Sequence, residues 1–393
     1  MPSSTPAVRE QAPINWAPTL IFSSTFLITI TAVPWYGWRH GYDAVEWLAF
    51  GAMLVLCGLS ITAGYHRLWS HRTYEAHPLV RAWFALWGAC ALQNSILIWC
   101  SGHRRHHRHV DEVERDPYSI RRGLWFAHIG WMIRDYKSGA VDLNNVQDLQ
   151  RDPIVRFQHR FYVPLVLATN VGVPVLLGFL NGDIWGMFLL AGVLRLVINH
   201  HVTFFINSLC HAWGRRPYTR TNTARDNPWL ALFTYGEGYH NFHHYFQTDY
   251  RNGVRWWQFD PTKWLIATLA WLGLARNLKR VPSFKIQEAL LQVQFEKART
   301  HLNHSPLPNV EALRQALEAE YQQFMDTLAE WKLLRGQWVQ QKREALAEKK
   351  HELQTLWHHT SVRTRFKEME YMLKMQRKRL QVFNLNFATL VAN

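Results

Sequence analysis

The sequence predicts an all-α integral membrane protein, with four transmembrane helices, a cytosolic helical cap and a C-terminal helical extension. Three observations carry this. Four apolar stretches each run for about 20 residues, the length that crosses the hydrocarbon of a bilayer. Trp occurs 20 times in 393 residues and aromatics make up 14%, and Trp and Tyr concentrate where membrane meets water. The mean hydropathy of −0.21 is too low for a chain that lies mostly in lipid, so a large polar portion must accompany the spans.

The elements follow in order. Residues 1–17 form a polar, Pro-rich tail without the basic-then-apolar layout of a cleaved signal. Spans are expected at about 18–38, 44–65, 161–180 and 183–207 within a membrane domain of 18–280. The third span contains Pro164 and Pro174 and the fourth Arg195, which are tolerable facing protein or a polar cavity. The stretch from Leu79 to Trp99 is read as one helix at the membrane surface. The turns at Arg39 and at Asn181–Gly182 carry little positive charge, whereas the link from Tyr65 to Arg160 and the region after Arg215 are rich in Arg. Basic loops stay inside, so both termini and the long link are placed in the cytosol. Cys57, Cys90, Cys100 and Cys210 form no CxxC pair and read as buried free thiols of a reducing compartment.

The net charge of +15 suits anionic lipid or phosphate-bearing ligands. With no phosphate loop and no zinc-finger spacing, no nucleic-acid partner is expected.

Histidines carry the chemistry. They gather in four places: His66 and His71 in "HRLWSH", His103, His106 and His107 in "HRRHH", His211 in "NSLCHAWG", and His240, His243 and His244 in "GEGYHNFHH". Positions i, i+3 and i+4 share one helix face, so each HxxHH aims three imidazoles one way. His66 and His71, five apart, fit a helix end where the chain turns out of the membrane. One tetrahedral zinc needs about four ligands; nine imidazoles suit two metals of higher coordination, with iron, copper, nickel and zinc all compatible. No Cys joins the set, which argues against an iron–sulfur cluster. Neighbouring arginines disfavour imidazolium and keep the rings free to ligate. The cap is therefore expected to hold a di-metal site.

At these boxes the chain resembles the membrane fatty acid desaturases, and most closely the acyl-CoA delta-9 (stearoyl-CoA) group. The matching stretches are "SITAGYHRLWSHRTY" (60–74), "HRRHH", "DPYSIRRGLWFAHIGW" (116–131), "NSLCHAWGRRPY" (207–218) and "GEGYHNFHHYFQTDYR" (236–251). The resemblance implies a four-span fold with a cytosolic cap and a bent acyl tunnel. It implies a di-iron centre on the nine histidines, reached by Asn207 through water, with zinc able to replace iron in purified samples. It also implies an oxidoreductase that uses O2 to place a cis double bond in a fatty acyl thioester. An alkyl or acyl hydroxylase using the same centre is the alternative. A metal transporter fits less well, because transporters hold ligands near mid-bilayer.

Arg121, Arg122, Arg134 and Lys137 are candidates for the phosphates of acyl-CoA, and Asn94 matches a family headgroup contact. Where the family commonly has Arg-Asp before the second box, this chain has Ser101 and Gly102, which leaves acyl-carrier protein or lipid open as carriers. Leu54 and Cys57 are candidates to set tunnel depth. Asp111, Glu112, Glu237 and Asp249 are candidates to hold the outer ring nitrogens. His109 reads as a spare, His200 and His201 as polar packing groups, and His77 and His128 as surface or hydrogen-bonding residues.

Residues 281–393 change texture to Gln, Glu, Lys, Arg and Leu. Leu317, Tyr321, Phe324, Leu328, Trp331 and Trp338 fall mostly at heptad spacing, giving a helical hairpin or short coiled coil through about Lys378. This extension is a candidate for homo-oligomer contacts or for docking an electron donor, and "MQRKRLQVFNLNF" (375–387) for lying on a membrane. The HPGG signature of haem-domain fusions is absent, so electrons are expected from a separate ferredoxin-, rubredoxin- or cytochrome-type protein and its reductase. The expected location is the cytoplasmic membrane of a bacterium.

Overall fold

In the computed structural model, residues 12–303, 310–348 and 361–392 are described. Four helices are long and apolar enough to cross a membrane: Trp16–Arg39, Ala44–Ser70, Tyr162–Asn181 and Ile184–Ala212. The second and fourth run five residues beyond the expected ends, and both extensions carry histidines of the site. The first span starts at Trp16, inside the expected tail, whose residues 1–11 lie outside the described part. That span is interrupted at Thr31. Pro34 has no N–H for the carbonyl four residues back, which accounts for the break.

The second span opens on a capping box. Asp43 Oδ1 accepts from the Glu46 N–H and Glu46 Oε2 accepts from the Asp43 N–H, both at 2.8 Å, satisfying two of the free donors of a helix start. The two short turns meet on one side. Asn181 Nδ2 donates to Asp43 Oδ2 at 2.8 Å, and the Tyr36 hydroxyl donates to Asp183 Oδ1 at 2.7 Å. In the fourth span Arg195 is fully buried. It donates to the carbonyls of Ala191 and Cys90 and to Asn170 Oδ1 at 2.8–3.0 Å, so the guanidinium is solvated by the chain.

The stretch read as one surface helix is two, Pro78–Ala89 and Ile96–His109. Leu92 and Asn94 between them have φ of 50° and 76°, a left-handed backbone that no helix continues through. The new helix start is held by Gln158, whose Oε1 accepts from the Ile96 N–H at 3.1 Å. A short antiparallel pairing of Glu75–Ala76 with Ala275–Arg276 ties the end of the first box to residues following the third.

Among the described residues the chain forms two compact units, divided between Arg280 and Val281, with Pro217–Arg220 grouped with the second. The expected hairpin of the second unit is a three-helix arrangement of Ser283–Asn303, Val310–Glu348 and Ser361–Ala392. Its core combines Phe284, Leu291 and Phe295 with Phe324, Leu328 and Trp331 and with Met369, Leu373 and Leu380. The first of these helices supplies the missing apolar wall. Leu380, within the stretch expected to lie on a membrane, is part of that core; side chains of 383–392 lie outside the described set.

Candidate metal centre

The first histidine pair depends on an unusual winding. Ser60–Ser70 is a π-helix, and the His71 N–H reaches the His66 carbonyl at 3.1 Å, an i→i+5 bond. A spacing of five, awkward on an α-helix, thereby brings both rings to one side. The helix Ile96–His109 supplies the second box, and Arg104 fastens it to the first. Its guanidinium donates to the carbonyls of Trp69 and Ser70, which end the π segment, at 2.8 and 3.1 Å, and pairs with Asp148 at 2.7 and 2.9 Å. Trp99 stacks on His103, with ring centroids 4.9 Å apart. Its indole N–H donates to Gln93, which in turn donates to Thr203 of the fourth span. His211 projects from the end of that span, and the short helix His240–Tyr245 delivers the third box.

The folding gathers nine rings into two groups. His66, His71, His103, His107 and His243 form one; His106, His211, His240 and His244 form the other, with one ligating atom per residue lying within 4.8 Å of the rest of its group. Neighbouring Nε2 atoms are 3.0 Å apart in His66–His243 and His243–His107, 2.8 Å in His71–His103, 3.1 Å in His211–His240 and His240–His244, and 3.3 Å in His106–His244. An ion bonded to imidazole nitrogen at about 2.1 Å spaces adjacent ligands of a five- or six-coordinate shell about 3 Å apart, so the donor set fits. Asn207 is half-buried one turn before His211, on the same helix face.

Outer-nitrogen partners fix the tautomers. His106 Nδ1 lies 2.8 Å from Asp116 and must donate to that carboxylate. His66 Nδ1 lies 2.9 Å from Glu237 Oε2. His211 Nδ1 meets Thr223 Oγ1 at 2.8 Å, while that hydroxyl donates its only proton to Asp111 Oδ1 at 2.6 Å; the ring must therefore donate to Thr223. All three rings turn an Nε2 lone pair inward, and facing lone pairs suit a cation. Burial, reinforced by the neighbouring rings, holds His71, His103, His107, His243 and His244 well below the usual imidazole range and pushes His240 down to about 3. Arg104 and Arg67 add to the effect at His71. Neutral imidazole is the form that ligates.

Arg67 anchors the wall behind the first group. It is 1% exposed and bonds Glu237 at 2.9 Å, Asp260 at 3.1 Å and the Tyr250 carbonyl at 2.8 Å. Burial opposes ionisation of Glu237, but His66 and Arg67 overcome it and bring its carboxyl down to about 2.

Other singled-out residues are placed elsewhere. His109 pairs with Glu112 at 3.1 Å and joins neither group. Asp249 pairs with Arg251. Asn94, Arg121 and Lys137 are exposed. Arg122 lies over the rings of Phe126 and Tyr136 at 4.0 and 4.2 Å, and Arg134 donates to the Ala12 carbonyl, so two of the four candidate cations are engaged within the chain. Cys57 is fully buried, and the carbonyl of Leu54 accepts from the Tyr235 hydroxyl. Sequence reasoning missed Asp116 as the partner of His106, although it opens one of the quoted stretches, and missed Thr223, which no spacing rule marks.

Residues 46–278, spanning all nine rings, match the family described as fatty acid desaturase. The chain belongs to the fatty acid desaturase family. It is 40% identical over 295 residues to acyl-CoA desaturase 1 of Saccharomyces cerevisiae, covering 72% of this chain and 57% of the yeast protein. It is 45% identical over 250 residues to a probable acyl-CoA desaturase of Schizosaccharomyces pombe, covering 63% and 52%. Against stearoyl-CoA desaturase 5 of Bos taurus it is 39% identical over 251 residues, covering 63% and 72%. The chain thus spans about half the length of the two yeast relatives.

Proposed function

We propose that this chain is an O2-dependent acyl desaturase that places a cis double bond, at the delta-9 position, in a long-chain fatty acyl thioester. The observation that carries this is the division of nine imidazoles, seven of them buried and His71 and His107 partly so, into groups of five and four, with facing nitrogens at 2.8–3.3 Å. In this reading each group would hold one iron ion, Asn207 would reach one of them through water, and zinc could substitute. An unactivated C–H bond gives acids and bases no purchase, and the two irons with O2 supply the oxidising power. The overall change balances as –CH2–CH2– + O2 + 2 electrons + 2 H+ giving –CH=CH– + 2 H2O.

The chain's own residues do the rest. Asp116, Glu237 and the Asp111–Thr223 pair keep the inner nitrogens unprotonated and aimed. The Trp99–Gln93–Thr203 contacts hold His103 against the fourth span. Asn94 and the basic side chains Arg121, Arg122, Arg134 and Lys137 are proposed to receive the carrier's headgroup, with the exposed Arg121 and Lys137 best placed. Electrons come from a separate redox protein, and the site and both termini face the cytosol, as the Arg-rich links indicate.

His107→Ala and His244→Ala test the assignment. Each is expected to abolish double-bond formation in lipid profiles of expressing cells and to lower bound metal in the purified protein, while membrane insertion persists. Full activity with unchanged metal in either variant overturns it. Product analysis separates the hydroxylase reading, which requires an alcohol in place of the alkene.

A further inference from the structure

A second histidine cluster lies outside both groups. The fourth span presents Val197, His201, Phe204 and Ser208 at spacings of four, three and four, which share one helix face; Asn207 and His211 occupy another. This face borders a cavity of about 310 Å³ shared with Phe22 and Phe26 of the first span and with Trp125, His128 and Ile133 of the cap. The Asn15 N–H and the Thr19 hydroxyl both reach the Ile133 carbonyl, so the cavity sits where the first span meets the polar cap.

Its hydrogen bonds fix the protons. Ser208 Oγ donates to the Phe204 carbonyl at 2.8 Å, so it must accept from His128 Nδ1, 3.0 Å away. Burial pushes His128 down to about 4, which keeps the ring neutral and leaves its Nε2 a lone pair. That lone pair accepts from His201 Nδ1 at 3.0 Å. His201 Nε2 is then itself an acceptor, and it has no partner among the described residues. His200 repeats the pattern, since its Nε2 lies 2.9 Å from the Ala91 carbonyl and must donate to it, leaving Nδ1 as a lone pair.

We infer that this cavity is a binding site for a neutral amphiphile carrying a hydroxyl on an apolar body, with the hydroxyl donating to His201 Nε2 and the body lying against Phe22, Phe26 and Phe204. The wall rings pack edge to face, Phe22 on Phe204 at 5.5 Å and Phe26 on His201 at 6.3 Å, and offer apolar surface beside the His201 acceptor. Such a site favours a proton donor over the same molecule without one, because the half-buried His201 acceptor then gains a partner inside an otherwise apolar wall. An open-chain alcohol and a lipid-soluble hydroquinone both have this chemistry.

The test uses the full chain in phosphatidylcholine nanodiscs with a dodecanol derivative bearing a mid-chain diazirine. Photolabelling is expected within 22–26 or 197–204. Unlabelled 1-dodecanol should compete at about tenfold lower concentration than dodecyl methyl ether, the worth of one hydrogen bond. Decyl hydroquinone and its dimethyl ether form the second arm, and the tighter of the two hydroxyl compounds identifies the kind of occupant. His201→Phe should erase the alcohol-over-ether preference and His201→Gln, which keeps an acceptor, should restore it. Labelling elsewhere, equal competition by alcohol and ether in the unaltered protein, or an undiminished preference in His201→Phe overturns the inference.

Discussion

Around the histidines the buried volume is filled with polar groups. Nine imidazoles, Arg67, Glu237, Asp116 and Asp260 are packed with little or no access to water. In the C-terminal helices the buried volume is apolar, built from Phe295, Phe324, Leu328, Leu373 and their neighbours, with Thr327 and Gln376 the buried polar residues among those described in 281–393. The first interior is held by specific donor–acceptor pairs, each of which must be completed. The second is held by volume and shape. A single proton or a single missing partner should therefore damage the first, and only a loss of volume should damage the second.

Acid should separate the two most strongly. The rings of His71, His103, His107, His240, His243 and His244 are neutral in the fold, yet each accepts a proton near its ordinary 6.5 when unfolded. A depressed imidazole contributes stability that is present above 6.5 and lost as pH falls below it, at about 1.4 kcal/mol per ring per pH unit. Metal-free protein should lose thermal stability steeply below pH 6.5 in the membrane unit, followed by hydrogen exchange of its amides, while the C-terminal helices keep their protection. Equal loss in both units would dissolve the contrast.

Arg67→Met comes next. It leaves Glu237 and Asp260 buried without their cation, a change worth about 3–5 kcal/mol, and it should reduce bound metal because His66 loses its fixed partner. Phe324→Ala should cost a similar or slightly smaller amount, about 3–4 kcal/mol, but only in the melting of the C-terminal helices, with metal content unchanged. The smallest effect is expected for Thr223→Val. It removes the acceptor of His211 Nδ1 at almost constant shape and should weaken metal binding about 10- to 100-fold with little change in thermal midpoint. Thr223→Ser should restore it, as measured by competition with a chelator.

How much of this was legible in the sequence differs in the same way. The four spans follow from length and hydropathy, and six of the nine rings from HxxHH spacing; His66, His71 and the lone His211 stand out only by their place at span ends and by the family resemblance. The pairing of rings into groups did not, because it depends on the π winding of 60–70 and on Arg104 bridging two helices. Partners of the outer nitrogens were only partly legible. Glu237 sits beside its own box, whereas Thr223 reaches His211 through a loop that Asp111 holds by both its N–H and hydroxyl. The break at 90–95 escaped because Leu92 adopts a left-handed backbone that its residue type does not advertise, and Asn94, a type that visits it readily, stands within an otherwise apolar helical run. In the tail, the heptad positions 317–331 marked one apolar stripe correctly, but Ser283–Asn303 alternates less cleanly, and its share of the core emerges only on packing.

The π winding of Ser60–Ser70 also makes the first box sensitive to chain length, beyond the constraint that burial already places on residue type. Removing one residue anywhere between 61 and 65 would let the segment relax into ordinary α-helix and swing one imidazole roughly a quarter-turn off target. Substitutions at the same positions would leave the register untouched. Insertions and deletions, unlike point changes, would re-aim the first box.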